Sequence, residues 1–227
     1  MQPYFVPYLG YWQLLNSVDR FVIYDDVAYT QGWINRNRIL INHKASYISV
    51  PLSRKTLNRR IRDILIYESP VWQRKMVKSI RNAYSRAPYF HDVYSVIEGI
   101  INYRSQSLSE FLINSIMTLT SFMKLQTKLI PTSSIYHNDY LKGQERVIDI
   151  CKQEKASIYI NAIGGRKLYD IDCFRRNNID IYFIKMKSIQ YKQRFPGFIS
   201  NLSIVDMLME IGPDGVKQNL ENYILIR

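Results

Sequence analysis

The chain is poor in the residues that build metal and redox centres, with two cysteines and three histidines in 227 residues. Cys151 and Cys173 form no CxxC pair, and His43, His91 and His137 are too scattered for metal-ligand spacing. No metal site or cofactor is therefore expected, and both thiols read as reduced cysteines buried in helices. No GxxxxGK[ST] or GxGxxG run occurs, which excludes the standard phosphate loops of P-loop and dinucleotide-binding proteins. No stretch of about 18 apolar residues is present and no leader-like segment opens the chain, so no transmembrane segment and a cytoplasmic location are expected. Acids are scarce as well: 19 Asp and Glu stand against 31 Lys and Arg, a formal net charge of +12. That balance favours anionic partners such as nucleotides, phosphosugars, tRNA or an acidic membrane face, and it is silent about fold.

Tyrosine, by contrast, is abundant, with 18 copies placed in turns as well as strands. An amphipathic ring bearing a hydroxyl suits recognition of a sugar or a base. The first of these turns lies in the opening run Gln2-Pro3-Tyr4-Phe5-Val6-Pro7-Tyr8-Leu9-Gly10-Tyr11-Trp12. Gln2 to Phe5 reads as a short strand, Val6 to Tyr8 as a proline-stiffened turn, and Gly10 to Ser17 as a helix. Phe21 to Tyr24 is an apolar run of the kind buried on both faces in a parallel sheet, with Asp25 and Asp26 at its end. A hairpin is expected from Ile39–Ile41 and Tyr47–Val50, then a basic loop from Ser53 to Arg62 and a strand over 64–67. Helical spacing predicts helices over 70–84, 89–101 and 108–123. The last third alternates again: helix 143–154, strand 157–160, helix 170–177, strand 179–184, and a helix over 203–211 with Ser203 as N-cap.

Four places carry side chains suited to chemistry. At Tyr8-Leu9-Gly10-Tyr11, a glycine at a helix start lets a ligand approach the backbone and meet the helix amides. This turn resembles the HxGH turn of nucleotidyltransferases and class I aminoacyl-tRNA synthetases, with tyrosine in both histidine positions. That likeness implies a Rossmann-like fold and a nucleotide-phosphate site. Neutral tyrosines, however, lack the cationic help that adenylyl transfer uses. At Asp25-Asp26, one acid can act as general base or hold an amino group, the other cap a loop or pair with Arg36 or Arg38. Trp33 opens the run Asn35-Arg36-Asn37-Arg38, in which arginines suit phosphates and asparagines suit hydroxyls; strand alternation predicts that only one pair enters the site. At Asn161, Gly164, Gly165 and Tyr169, the glycine pair after a strand reads equally as a plain turn or as backbone against which a second substrate lies. Tyr191 lies in a closing loop before the last helix, where Asp206 reads as a local cap or salt-bridge partner.

Taken in order, QPYFVPYLGYWQLLNSVDRFVIYDDV, WINRNRI, the VPL after the hairpin, YINAIGGRKLYD and LSIVDML resemble the WbqC-like family over nearly the whole chain. The resemblance implies a bacterial surface-polysaccharide (O-antigen, lipopolysaccharide) protein that transfers glycine or another aminoacyl group to an amino-sugar. Members carry further residues before the Gln-Pro, so here either the start lies downstream of the usual one or the sheet's central, first strand is shortened. The resulting expectation is an α/β protein whose Rossmann-like, mostly parallel core (1–67 and 129–227) is joined by a helical subdomain (68–128). Its reaction is N-acylation of a nucleotide-linked amino-dideoxysugar, with an activated acyl donor as co-substrate. Aminoacyl-tRNA fits that donor through the positive charge and the HxGH-like turn, whereas DNA is not an expected partner. The alternatives are a degenerate nucleotidyltransferase and a non-catalytic nucleotide- or RNA-binding protein. Asp25, Asp26, Tyr8 and Tyr11 are the catalytic candidates. Gln2, Pro7, Gly10, Trp33, Asn35, Arg36, Arg38, Asn161, Gly164, Gly165, Tyr169 and Tyr191 are the binding candidates.

Overall fold

Elements form largely where apolar periodicity and caps place them. The computed structural model describes residues 1–53 and 58–227; residues 54–57 of the expected basic loop lie outside the described residues. The chain runs through α1 (Leu9–Asn16), β1 (Arg20–Val22), β2 (Arg36–Ile41) and β3 (Lys44–Ser49) to three successive helices. These are α2 (Pro70–Tyr84), α3 (Phe90–Asn102) and α4 (Leu108–Phe122), followed by β4 (Lys128–Ile130). Then come α5 (Gly143–Gln153), β5 (Ile158–Ala162), α6 (Ile171–Arg176), β6 (Asp180–Met186), α7 (Ile204–Asn219) and β7 (Tyr223–Ile226).

Helices α2 and α4 start at side-chain caps. Ser69 Oγ accepts from the Val71 amide before α2, whose first residue is Pro70, and Ser107 Oγ accepts from the Glu110 amide before α4. A side chain that accepts from an N2 or N3 amide satisfies one of the otherwise orphaned donors. From there α2 buries Met76, Ile80 and Tyr84, and α4 buries Phe111, Leu112, Ile116 and Leu119. One large core joins these residues to Phe5, Trp12, Leu15, Ile39, Val50 and Leu208. Each such side chain contributes about 1.5–3 kcal/mol by leaving water. A smaller cluster around Phe174 and Phe183 includes Cys151, and burial pushes its thiol up to about 12.

The α/β class holds, but the sheet is not one mostly parallel platform. Among the described residues the strands pair into three small sheets: β1 with β4 in parallel, β2 with β3 antiparallel, and β5-β6-β7 with one parallel and one antiparallel pairing. The expected strand over 2–5 is absent. Met1 alone joins a ladder, its amine donating to the Val22 carbonyl at 2.7 Å and its carbonyl accepting from the Tyr24 amide at 2.8 Å. Pro3 has no amide to extend that ladder, and by Phe5 the backbone has turned to bond the Ile34 carbonyl at 2.9 Å. The segment over 64–67 is likewise no strand, because it is held by single bridges on two sides, Ile66 to Leu52 and Leu65 to Ser107.

Helix α7 is broken where its expected end lay. Gly212 adopts φ +73°, Pro213 follows, and the ring of Tyr89 fills the space a side chain would need, with a Cβ placed 2.5 Å from Tyr89 Cε1. Substitution Gly212→Ala combines left-handed strain with that clash. We expect it to cost about 2 kcal/mol and to lower Tm by roughly 4–8 °C in a thermal melt. An unchanged Tm would remove this close contact from the account.

Candidate functional site

The turn before α1 is strained and held from several sides. Val6, a β-branched residue, sits at φ +37°, a conformation that costs roughly 1–3 kcal/mol and persists only where the surroundings enforce it. Asn37 Nδ2 donates to the Phe5 and Val6 carbonyls at 3.2 and 2.8 Å, and Ser203 Oγ donates to the Val6 carbonyl at 2.7 Å. The Pro7 carbonyl accepts from Trp12 Nε1 and from the Ile204 amide, both at 3.0 Å. The turn is thereby bonded to β2 and to the amino end of α7.

Tyr8 follows as the N-cap residue of α1, which has no side-chain cap and no acid in its first turn. A Cβ on Gly10 would lie 2.6 Å from Tyr8 Cε2, so this glycine makes room for the Tyr8 ring rather than for a ligand. Tyr8 remains 36% exposed, whereas Tyr11 is buried. The Tyr11 hydroxyl donates to the Gln2 carbonyl at 3.2 Å, and its ring packs against Tyr4, Trp12 and Phe21. Burial, with neighbouring Tyr4, holds that hydroxyl well above the usual tyrosine range. The two tyrosines of the turn do not face one ligand.

A cavity of about 400 Å³ opens beside Tyr8, lined also by Lys187, Gln190, Tyr191, Asn201 and Ser203. Its outer wall, residues 187–202, is bound to α7 through a buried acid. Asp206 accepts from Tyr84 Oη and Tyr191 Oη at 2.7 Å each and from Gln193 Nε2 at 3.1 Å. Gln193 also bonds both the carbonyl and the amide of Ile199, at 2.9 Å. Asp206 is thus the anchor of this wall and neither a cap nor an ion-pair partner. Burial first, and then the Asp206 charge, raise Tyr191 above its ordinary range, so it stays a neutral donor. Arg38 lies at the rim, its guanidinium donating to the Asn201 carbonyl at 3.2 Å. An uncapped helix start, a lysine and neutral hydroxyl and amide groups suit an anionic, hydroxylated ligand.

The other expected residues lie elsewhere. Asn35 and Arg36 line a wider cleft of about 700 Å³ with Tyr29, Gly32 and Pro51. Strand alternation fails for this pair because Asn35 precedes β2. Their polar groups are already engaged: Asn35 Oδ1 accepts from Tyr29 Oη at 2.9 Å, Asn35 Nδ2 donates to the Val50 carbonyl at 2.7 Å, and Arg36 Nε donates to the Gly32 carbonyl. The Arg36 guanidinium also lies 4.5 Å from the ring centre of Tyr47, and Trp33 is 57% exposed. Asn161, Gly165 and Tyr169 gather at the end of β5. There Asn161 Nδ2 bonds Tyr169 Oη at 3.0 Å and Tyr159 Oη at 3.1 Å, and it would be 3.0 Å from a Cβ on Gly165. Gly164 has open space around it.

Asp25 and Asp26 line neither cavity. Both are buried at 4% exposure. Asp25 accepts from Ser109 Oγ at 2.8 Å on one oxygen and from Thr132 Oγ1 at 2.8 Å and the Ser133 amide at 3.3 Å on the other. Asp26 accepts from Ser133 Oγ and from Arg146, each at 2.5 Å. Arg146 also donates to Asn138 Oδ1 at 2.9 Å and covers the Tyr24 ring. Burial works to raise the Asp26 carboxyl, but the hydrogen bonds from Arg146 and Ser133 and the Arg146 charge outweigh it and hold the group below its ordinary value. With every oxygen bonded, these acids fit a structural role better than that of a base. Sequence reasoning missed Arg146, Lys187 and Asn201, for which no local pattern speaks. The run Thr132-Ser133-Ser134 was a readable signal of a capped turn. Among the described residues no three His, Cys, Asp or Glu side chains gather as a metal site, and no helix is long and apolar enough to cross a membrane.

Comparison with known proteins gives two matches of the same extent as this architecture. The model of the WbqC-like protein family matches residues 2–218. The uncharacterized protein Rv1507c of Mycobacterium tuberculosis is 27% identical over 219 residues, covering 94% of this chain and 93% of its own. No solved structure matches.

The Asp26–Arg146 pair makes its structural role measurable. Removing one partner of a buried pair costs about 3–5 kcal/mol, so Asp26→Ala should lower Tm by roughly 6–20 °C. Because the folded Asp26 pKa lies below its unfolded value near 3.9, its contribution is present above that pH and fades as pH falls through the folded value. The acid limb of the stability curve should therefore flatten in the variant. Loss of activity at unchanged Tm would instead return Asp26 to the catalytic candidates.

Proposed function

We propose a function on one premise: the chain belongs to the WbqC-like protein family. The reading is that it N-acylates a nucleotide-linked 4-amino-4,6-dideoxyhexose with a glycyl or other aminoacyl group, as a step in building a surface polysaccharide. One observation carries it: the uncapped amino end of α1, Tyr8 and Lys187 converge on a cavity of about 400 Å³. That volume lies within the range of small-ligand sites. The helix start and the lysine suit a diphosphate, while Gln190, Asn201 and the rings of Tyr8 and Tyr191 suit a sugar.

Amide formation needs a neutral amine, an activated acyl group and stabilisation of the developing oxyanion. Among the described residues no carboxylate lines the cavity, so the amine enters as its neutral form rather than losing its proton to a carboxylate base there. The Tyr8 hydroxyl meets the oxyanion. Burial raises Tyr8 above the usual tyrosine value, so it acts as a donor rather than a base. The buried position of Tyr11 weighs against an HxGH-type nucleotidyltransferase, which needs both side chains of the turn at the ligand.

The test is mass spectrometry of a dTDP-linked amino-sugar incubated with the protein and candidate acyl donors. A mass gain of one acyl group is expected. Tyr8→Phe should lower turnover about a hundredfold, the scale of one lost oxyanion donor. Lys187→Met should weaken substrate binding about tenfold, the scale of one charge-assisted hydrogen bond. Binding without any acylated product would mark a nucleotide-binding protein and end the transferase reading.

A further inference from the structure

A large part of the excess positive charge lies on a surface that neither the cavity nor the buried network uses. Residues 70–86 contain Arg74, Lys75, Lys78, Arg81 and Arg86 and no acid. All five are exposed. At 100° per residue, Arg74, Lys78 and Arg81 fall within about 60° of arc and span roughly 10 Å of the helix axis. The opposite face of α2 buries Met76, Ile80 and Tyr84, so the cations form an outward stripe. None of the five joins an ion pair among the described residues. Beside them on α3, Glu98 accepts from Tyr94 Oη at 3.3 Å. Like charges three and four residues apart repel by a few tenths of a kcal/mol per pair, and no acid of α2 offsets this. An anionic partner would.

We propose that this face of α2 binds the sugar–phosphate backbone of an RNA that carries the activated acyl group; this rests on the acyl-transfer reading above. A membrane-surface helix needs a free apolar face, and the apolar face of α2 is turned into the core. A closely spaced row of lysines and arginines is what tracks a phosphodiester chain. The carboxyl end of α2 also reaches the cavity wall through its buried face. Tyr84, at the end of α2, shares Asp206 with Tyr191, and the Arg194 guanidinium lies 5.2 Å from the Tyr84 ring centre. An acyl group esterified to the terminal ribose of such an RNA is already activated. The sugar amine attacks the acyl carbon, the new C–N bond replaces the C–O bond to ribose, and the amine proton passes to the departing ribose hydroxyl.

The experiment is fluorescence anisotropy with deacylated tRNA between 50 and 200 mM salt. It compares the native chain with the variant Arg74→Gln, Lys78→Gln, Arg81→Gln, whose fold is checked by Tm. We expect the variant to bind at least about tenfold more weakly at 100 mM salt. Its salt slope should shrink by about two to three, near one per lost phosphate contact. Equal affinity and slope would overturn the proposal. So would binding to phosphatidylserine vesicles without tRNA binding, or equally tight binding of duplex DNA through the same residues. Calorimetry with the dTDP-amino-sugar separates the two readings. If the sugar binds and is acylated from another donor while tRNA is ignored, the RNA face fails and the transferase stands. If tRNA binds through α2 but the sugar does not bind, the transferase fails.

Discussion

Two adjacent carboxylates, Asp25 and Asp26, are withdrawn from water at the end of β1, and the surrounding architecture follows from the need to satisfy them. A buried acid is tolerable only with its oxygens bonded. The donors come from α4 (Ser109), from the turn after β4 (Thr132, Ser133) and from α5 (Arg146). The chain has left β1 by this point, and Asp25 reaches Ser109 of the helical layer while Asp26 reaches Arg146 of α5. Residues more than a hundred positions apart are tied to one point, and β1 and β4 are held in parallel beside it.

A second constraint shapes the ligand side. The strained backbone at Val6 is enforced by Asn37 and Ser203, which lie on β2 and at the head of α7. The consequence is a fixed position for Tyr8 and for the first amides of α1. Preorganised donors stabilise developing charge without reorganising when it appears. The opposite wall gains comparable rigidity from Asp206, which gathers hydroxyls from α2 and the 187–202 loop. The cavity is thus walled by elements fixed from outside it.

Much of this was legible in the residues. The long helices follow from apolar spacing and from Ser69, Ser107 and Ser203 as caps, and the hairpin follows from its flanking strands. The family likeness was readable from motifs spread along the chain, and Tyr8, Gly10 and Tyr191 do border the cavity or support it. What could not be read depends on contacts distant in sequence. Whether Asp25-Asp26 faces a substrate or an arginine depends on Arg146, 120 residues away. The single-sheet expectation failed because strand runs report burial and not partner choice, and Pro3 and the turn at Val6 cut short the segment meant for the centre. Asn35 escaped the alternation rule by lying one residue before the strand.

The proposed activity places a nucleotide-linked sugar at the amino end of α1, in a cavity whose chemistry is donation to anions rather than carboxylate catalysis. A crystal structure of the protein with a dTDP-linked amino-sugar tests this most directly. The expected result is the diphosphate within hydrogen-bond distance of Lys187 Nζ and the first α1 amides, with Tyr8 Oη toward the sugar's amino group. A ligand seated instead in the Asn35–Arg36 cleft, or one that draws Asp25 or Asp26 out of its buried network, would contradict it.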